Sequence, residues 1–150
     1  MKPTDKAKMY LNWAFYYKNK AEVLKDKIEV LRSRAEKITA SYQSAPVFGS
    51  YEAHRQATMD EMVDLERERK KMYNQCLAKV NEIRFAISMI DKPIPRLVLE
   101  LHYVEFMEFP DIAYKLHYTT RHITNLHGYG LESLVRINKK IVENGGRPLF

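Results

Sequence analysis

The stretch FPDIAYKLHYTTRHITNLHGYGLESL, Phe109 to Leu134, decides how this chain is read. Pro110 suits the first position of a helix, where its missing N–H would have no partner anyway. Asp111 suits the positive end of the helix dipole. Ile112, Ala113 and Leu116 then recur at helical spacing, and Tyr118-Thr119 interrupts them. Thr119 is a natural N-cap for a longer helix, TRHITNLHGYGLESLVRINKKIVE, which ends near Asn144 ahead of Gly145-Gly146. Ile123, Leu126, Leu131 and Leu134 give that helix its inward stripe, and Ala113 is small where two helices must cross closely. The expected product is a short helix over 110–116, a tight turn, and a longer helix with two polar opening turns.

Those opening turns carry the chemistry. With Ile123 and Leu126 turned inward, Thr120, Arg121, Thr124 and Asn125 point away from the core. Arginine pairs with guanine, asparagine pairs with adenine, and threonine meets a thymine methyl or a phosphate, so these four are the candidate base-reading residues. Thr119 and His122 beside them, and Arg136, Lys139 and Lys140 farther along, are candidates for contact with the DNA backbone.

Upstream, DKPIPR (Asp91 to Arg96) ends whatever precedes it, because two prolines at spacing two cannot sit inside a helix. The expected organisation is therefore residues 1–91 and residues 92–150. Pro95 can open a helix that runs from Arg96 to about Phe106. In the first part, Tyr10, Ala14, Tyr17, Ala21, Leu24, Ile28, Leu31, Ala35, Ile38 and Tyr42 step by four and three. That is a heptad stripe on a helix from Asp5 to Tyr42, about 55 Å long. So narrow a stripe needs a partner helix. SAPVFGSYEAHRQA, Ser44 to Ala57, has no period and reads as a loop anchored by Val47, Phe48 and Tyr51. A second long helix follows over Thr58–Ile90, with Met59, Met62, Tyr73, Cys76, Val80, Ile83, Ile87 and Ile90 in one phase. Glu66 and Arg69 interrupt it. Either they mark a solvated face, with the stripe shifting to Val63, Leu65 and Met72, or they form a polar layer that sets register. The fold class is all-α: a long coiled-coil-like N-terminal hairpin, then a helix-turn-helix domain. Self-association through the long helices is expected, strengthened by Trp13, Phe15 and Tyr16 beside the stripe. The C-terminal RPLF is expected to be loose.

Composition narrows the function. Twenty-five Lys+Arg face nineteen Asp+Glu, a net charge of +6, which permits a phosphate-bearing partner without requiring one. Five glycines and six prolines in 150 residues leave little room for turns. One cysteine, Cys76 in an apolar helical phase, allows no internal disulfide and reads as a core residue in a cytoplasmic protein. No stretch has the length and apolarity of a signal peptide or a membrane span. His117, His122 and His127 are spaced by five, so each step rotates about 140° and they share no face. His127 reads as a helix-face residue. No ligand spacing for a metal, no glycine-rich phosphate loop and no nucleophile elbow occurs, so neither a cofactor nor enzymatic activity is expected.

RLVLELHYVEFMEFPDIAYKLHYTTRHITNLHGYGLESL resembles region 4 of bacterial sigma factors and the related C-terminal domain of phage transcription regulators. The matching places are Arg96, Leu101-His102-Tyr103, Asp111-Ile112-Ala113, Leu116-His117-Tyr118-Thr119, Ile123, Gly130-Leu131 and Leu134. His102 stands for the pattern's arginine, His117 for its turn glycine and Gly130 for its alanine; Gly128 is a second glycine in the same helix. These glycines lead one to expect a kink past the reading turns. The whole chain is similar to small regulators of Gram-positive phages, of the ArpU and RinA kind. The resemblance implies binding to double-stranded promoter DNA, activation of late phage genes such as packaging or lysis, and a possible contact with RNA polymerase. Two rivals fit the long helices: a protein-interaction adaptor, such as an anti-repressor or polymerase-binding factor, and a small phage packaging protein.

Overall fold

The computed structural model describes residues 1–42 and 50–150, except for the side chains of Ile38, Ser41, Tyr42, Ser50 and Tyr51. Among the described residues every regular element is an α-helix: α1 Pro3–Tyr42, α2 Ser50–Ser88, α3 Pro93–Tyr103, α4 Phe109–Leu116 and α5 Thr120–Glu143. The all-α class and the two long N-terminal helices agree with the reading from sequence. None of these helices is long and apolar enough to cross a membrane.

The loop expected over Ser44–Ala57 is corrected in its second half, because α2 begins at Ser50. After Gly49 the segment is built from good helix formers, Glu, Ala, Arg and Gln, and needs no apolar face because residues 52–57 are exposed. Arg55 pairs with Glu52 at 3.7 Å, and Gln56 donates to Asp60 at 2.9 Å. Two of the expected anchors, Val47 and Phe48, and the side chain of the third, Tyr51, lie outside the described residues.

The double proline ends α2 and starts α3 three residues earlier than expected. Pro93 and Pro95 both fall in the first turn of α3, where an amide has no helical acceptor to lose. The first amide that needs one is that of Arg96, which donates to the Lys92 carbonyl at 3.2 Å.

The chain divides into two compact units, Tyr17–Gln75 and the combination of Met1–Tyr16 with Cys76–Phe150. In the first of these, Leu24, Ile28 and Leu31 of α1 are buried. On α2 the inward stripe runs through Thr58, Met62, Leu65, Arg69 and Met72. The phase read from sequence is therefore rotated here: Met59 and Tyr73 are 44% and 57% exposed. The shift to Leu65 and Met72 occurs, but Val63 stays exposed. Glu66 is solvated and pairs with Arg69 at 3.5 Å.

In the second unit Ala7, Leu11 and Ala14 of α1 are buried, as are Val80, Ile83, Ile87 and Ile90 at the end of α2 and beyond it. The thiol of Cys76 is buried and donates to the Ala14 carbonyl at 3.7 Å. Phe15 stands against three rings, those of His102, Tyr103 and Phe106, with centroids 5.1–5.9 Å away. The C-terminal RPLF, expected to be loose, is held instead. The Leu149 amide donates to Asn138 Oδ1 at 2.7 Å, Asn138 Nδ2 donates to the Phe150 carbonyl at 3.4 Å, and the Phe150 ring lies 5.5 Å from that of Tyr10.

Candidate nucleic-acid interface

α3, α4 and α5 share one core, in which Val98 and Leu101 meet Ile112 and Ala113 of α4 and Ile123 and Leu126 of α5. Leu97, Met107, Phe109 and Leu116 pack around its edge. Every residue expected to form the hidden frame is buried or half-buried, including Leu131 and Leu134.

The turn between α4 and α5 explains how a histidine replaces a glycine. His117 takes the left-handed conformation itself, with φ 57° and ψ 40°. Its amide donates to the Tyr114 carbonyl at 3.4 Å, and the Tyr118 amide reaches back to the Ala113 carbonyl at 3.0 Å. Together these form a Schellman motif, which satisfies two carbonyls at the end of α4. Thr119 then turns extended and caps α5, its hydroxyl oxygen accepting from the His122 amide at 3.1 Å. That hydroxyl keeps its own hydrogen, so the cap can still donate to a phosphate.

The packing of Ile123 and Leu126 in the shared core fixes which faces of α5 point outward. Thr120, Arg121, His122, Thr124 and Asn125 are all exposed. Arg121 makes no ion pair among the described residues, so its guanidinium is unspent. Thr124 donates its hydroxyl to the Thr120 carbonyl at 3.0 Å, which uses its hydrogen and leaves its methyl and oxygen lone pairs without a bond of that kind. It therefore offers a thymine methyl contact more readily than a donor.

The remaining candidates are not brought together with these. Arg136, Lys139 and Lys140 lie about 22–29 Å farther along α5 by helical rise, beyond the ~12 Å width of one major groove. Arg136 is 4.0 Å from Glu132 and Lys139 is 3.8 Å from Glu143, both exposed pairs one helical turn apart. Sequence reasoning missed three exposed residues nearer the first turns of α5: Tyr114, Lys115 and Tyr118. Tyr114 is 87% exposed, and the Tyr118 ring meets the His122 ring edge-on at 4.8 Å. Their signal was the local mixture of aromatic and basic residues, since tyrosine hydroxyls also bind phosphates.

α5 stays one helix from Thr120 to Glu143, through Gly128 and Gly130. Gly130 is buried where α5 crosses α3, and nothing stands within 4 Å of a β-carbon on Gly128. His127, read as a helix-face residue rather than a ligand, lies on the buried face of α5, 2.8 Å from the hydroxyl of fully buried Tyr103. Burial, then the nearby His102 and Lys8, lower its pKa to about 4. Burial also raises the Tyr103 phenol well above its ordinary value, so neither group carries charge near neutrality. His102 donates from Nδ1 to the Met107 carbonyl at 2.7 Å, a bond that helps fix the loop before α4. Comparison of the chain with family models, with curated proteins and with solved structures finds no match in any of the three.

Proposed function

We propose that this chain is a DNA-binding transcription regulator whose α4–turn–α5 acts as a sigma region 4-like helix-turn-helix. The observation that carries the reading is the exposed Thr120, Arg121, Thr124 and Asn125 on the first two turns of a capped helix, backed by a core shared with α3 and α4. α5 would lie with this end in the major groove, Arg121 and Asn125 on base edges and Thr124 against a methyl. Thr119, His122, Tyr118 and Lys115 would hold neighbouring phosphates. Arg136, Lys139 and Lys140 would act from farther away, adding long-range attraction. The resemblance to phage regulators extends the proposal to activation of late genes at a promoter, with RNA polymerase as a second contact.

Self-association belongs to the same reading. In the unit Tyr17–Gln75, Val23, Val30, Leu31 and Leu65 line a groove edged by Asp26, Lys27, Arg34 and Glu61, two charges of each sign. A surface so balanced can meet its own copy across a two-fold axis without net repulsion. The exposed apolar residues of this unit also favour a second reading, a helical protein-interaction adaptor.

Electrophoretic mobility shift and anisotropy with duplexes from the source genome separate the two readings. The DNA reading expects salt-sensitive binding that Arg121→Ala with Asn125→Ala weakens in a sequence-dependent way. Absence of such binding, or an unchanged affinity in the double variant, leaves the adaptor reading.

A further inference from the structure

Residues Arg147 to Phe150 run back along α5 instead of away from it. Two glycines turn them. Gly145 takes φ 77°, and the Gly146 amide donates to the Ile141 carbonyl at 2.8 Å. Gly146 lies so close to the helix that a β-carbon on it would come within 2.8 Å of the Ile141 side chain and 3.0 Å of its carbonyl. The reversal brings Leu149 and Phe150 to Asn138, more than a turn before the end of α5. Both ends of that side-chain amide are used. Its oxygen accepts from the Leu149 amide at 2.7 Å, and its nitrogen donates to the Phe150 carbonyl at 3.4 Å. One side chain that engages a donor and an acceptor of the tail fixes where the tail lies along α5.

Held there, Phe150 closes over the start of α1. Its ring lies 5.5 Å from that of Tyr10. It shares one small groove with Pro3 and Lys6 of α1 and Val135 of α5, and a second with Met9 and Trp13 of α1. The first three turns of α1 have little else apolar to bury. From Pro3 to Ala14 the buried residues are Ala7, Tyr10, Leu11 and Ala14, and two of these four are alanines. A helix end docked on so little surface opens locally unless something ties it down. Phe150 supplies that tie through Tyr10, the largest of the four. The core shared by α3, α4 and α5 includes no residue of α1 or of the tail, so it does not depend on the same tie.

We infer that residues 147–150 form a clasp that keeps the first three turns of α1 docked, and that its release undocks those turns while α3, α4 and the start of α5 stay folded. The clasp is independent of the DNA reading. Hydrogen–deuterium exchange of the full chain, read by mass spectrometry, tests it. Phe150→Ala and Asn138→Ala should each accelerate amide exchange over residues 5–14 about tenfold or more, and leave residues 98–126 unchanged. Alanine is a better helix former than asparagine, so faster exchange of α1 in Asn138→Ala reads the lost tail bonds and not a weakened α5. Asn138→Asp keeps the acceptor for the Leu149 amide and loses the donor, so its effect should be intermediate. Gly146→Ala touches neither contact, but its β-carbon obstructs the turn, so it should act like Phe150→Ala. Asn138→Ala combined with Phe150→Ala should accelerate exchange by less than the product of the two, because both open one clasp. Unchanged exchange over residues 5–14 in Phe150→Ala and Asn138→Ala overturns the inference. Equal acceleration over residues 98–126 overturns it too, since the tail would then stabilise the whole unit and not α1.

Discussion

Gly130 of α5 lies so close to Leu99 of α3 that a β-carbon on it would come within 2.8 Å of the Leu99 side chain and 3.3 Å of the Pro95 carbonyl. Leu99 is fully buried and cannot swing away. Gly130→Ala therefore sets two effects against each other. Alanine in a helix gains about 1 kcal/mol over glycine, whereas overpacking a filled core costs about 1–3 kcal/mol. Crowding should win, because one of the blocking atoms is backbone. Gly128, two residues away, has open space around it, so Gly128→Ala should stabilise by about 1 kcal/mol. Urea unfolding should thus move in opposite directions for the two variants. Leu99→Ala combined with Gly130→Ala should cost less than the sum of the two. Equal shifts at both glycines would remove the close-approach account.

His117 occupies a conformation that L-residues enter at a cost of roughly 1–2 kcal/mol. Glycine enters it freely but loses more entropy on folding, which returns part of that gain. His117→Gly should stabilise by up to about 1 kcal/mol and leave the Schellman bonds intact. A β-branched side chain fits this region worst, so His117→Val should destabilise instead. Thermal unfolding of the two variants checks the order; a destabilised glycine variant would show that the imidazole supplies something the backbone geometry does not.

The α4–turn–α5 region was the most legible from sequence because its signals are local. Proline at N1, threonine at the cap and apolar spacing each act within a turn of the residues they organise. The same logic failed on the long helices, where the inward face depends on what lies opposite. Met59 and Tyr73 share a 3-4 phase with Val80 and Ile83 yet are solvated, because the stripe shifts to Leu65 and Met72 instead. Gly130 and His127 were illegible for a related reason. Their roles are set by Leu99 and Tyr103, 31 and 24 positions earlier in the chain, and no local pattern encodes such a meeting. The C-terminal RPLF failed likewise, since Asn138 and Tyr10 hold it from distant positions.

If α5 reads DNA as proposed, Arg121 should separate from Lys139 and Lys140 by salt and sequence dependence. Lys139→Ala with Lys140→Ala should weaken binding to all duplexes alike and reduce the salt slope by at most about 2, one for each charge removed. The reduction should fall short of 2, because Lys139 already holds Glu143 and lies about 27 Å along the helix from Arg121. Arg121→Ala should instead cost about 1–3 kcal/mol on the preferred site and flatten the preference between sites. Anisotropy titrations at several salt concentrations read both quantities. A sequence-dependent loss in the lysine variant would move the proposed reading surface toward the C-terminal end of α5.

His127 should make the unit that contains α5 acid-sensitive in a defined window. Its folded pKa of about 4 lies below the ordinary value of 6.5. Between those values the unfolded chain binds a proton that the folded chain refuses. Stability from this group is therefore complete above about pH 6.5, falls as pH drops toward 4, and changes little below that. The shift corresponds to about 3 kcal/mol at most across the window. Carboxylates titrate over part of the same range, so the comparison must be between variants. His127→Gln can still accept from the Tyr103 hydroxyl but cannot be protonated there. Chemical unfolding at pH 7 and pH 4.5 should show a larger loss for the native chain than for His127→Gln, with the Tyr103 contact preserved in both. If the two lose stability equally, His127 is not the group that binds the proton on unfolding, and the acid sensitivity must be sought among the carboxylates.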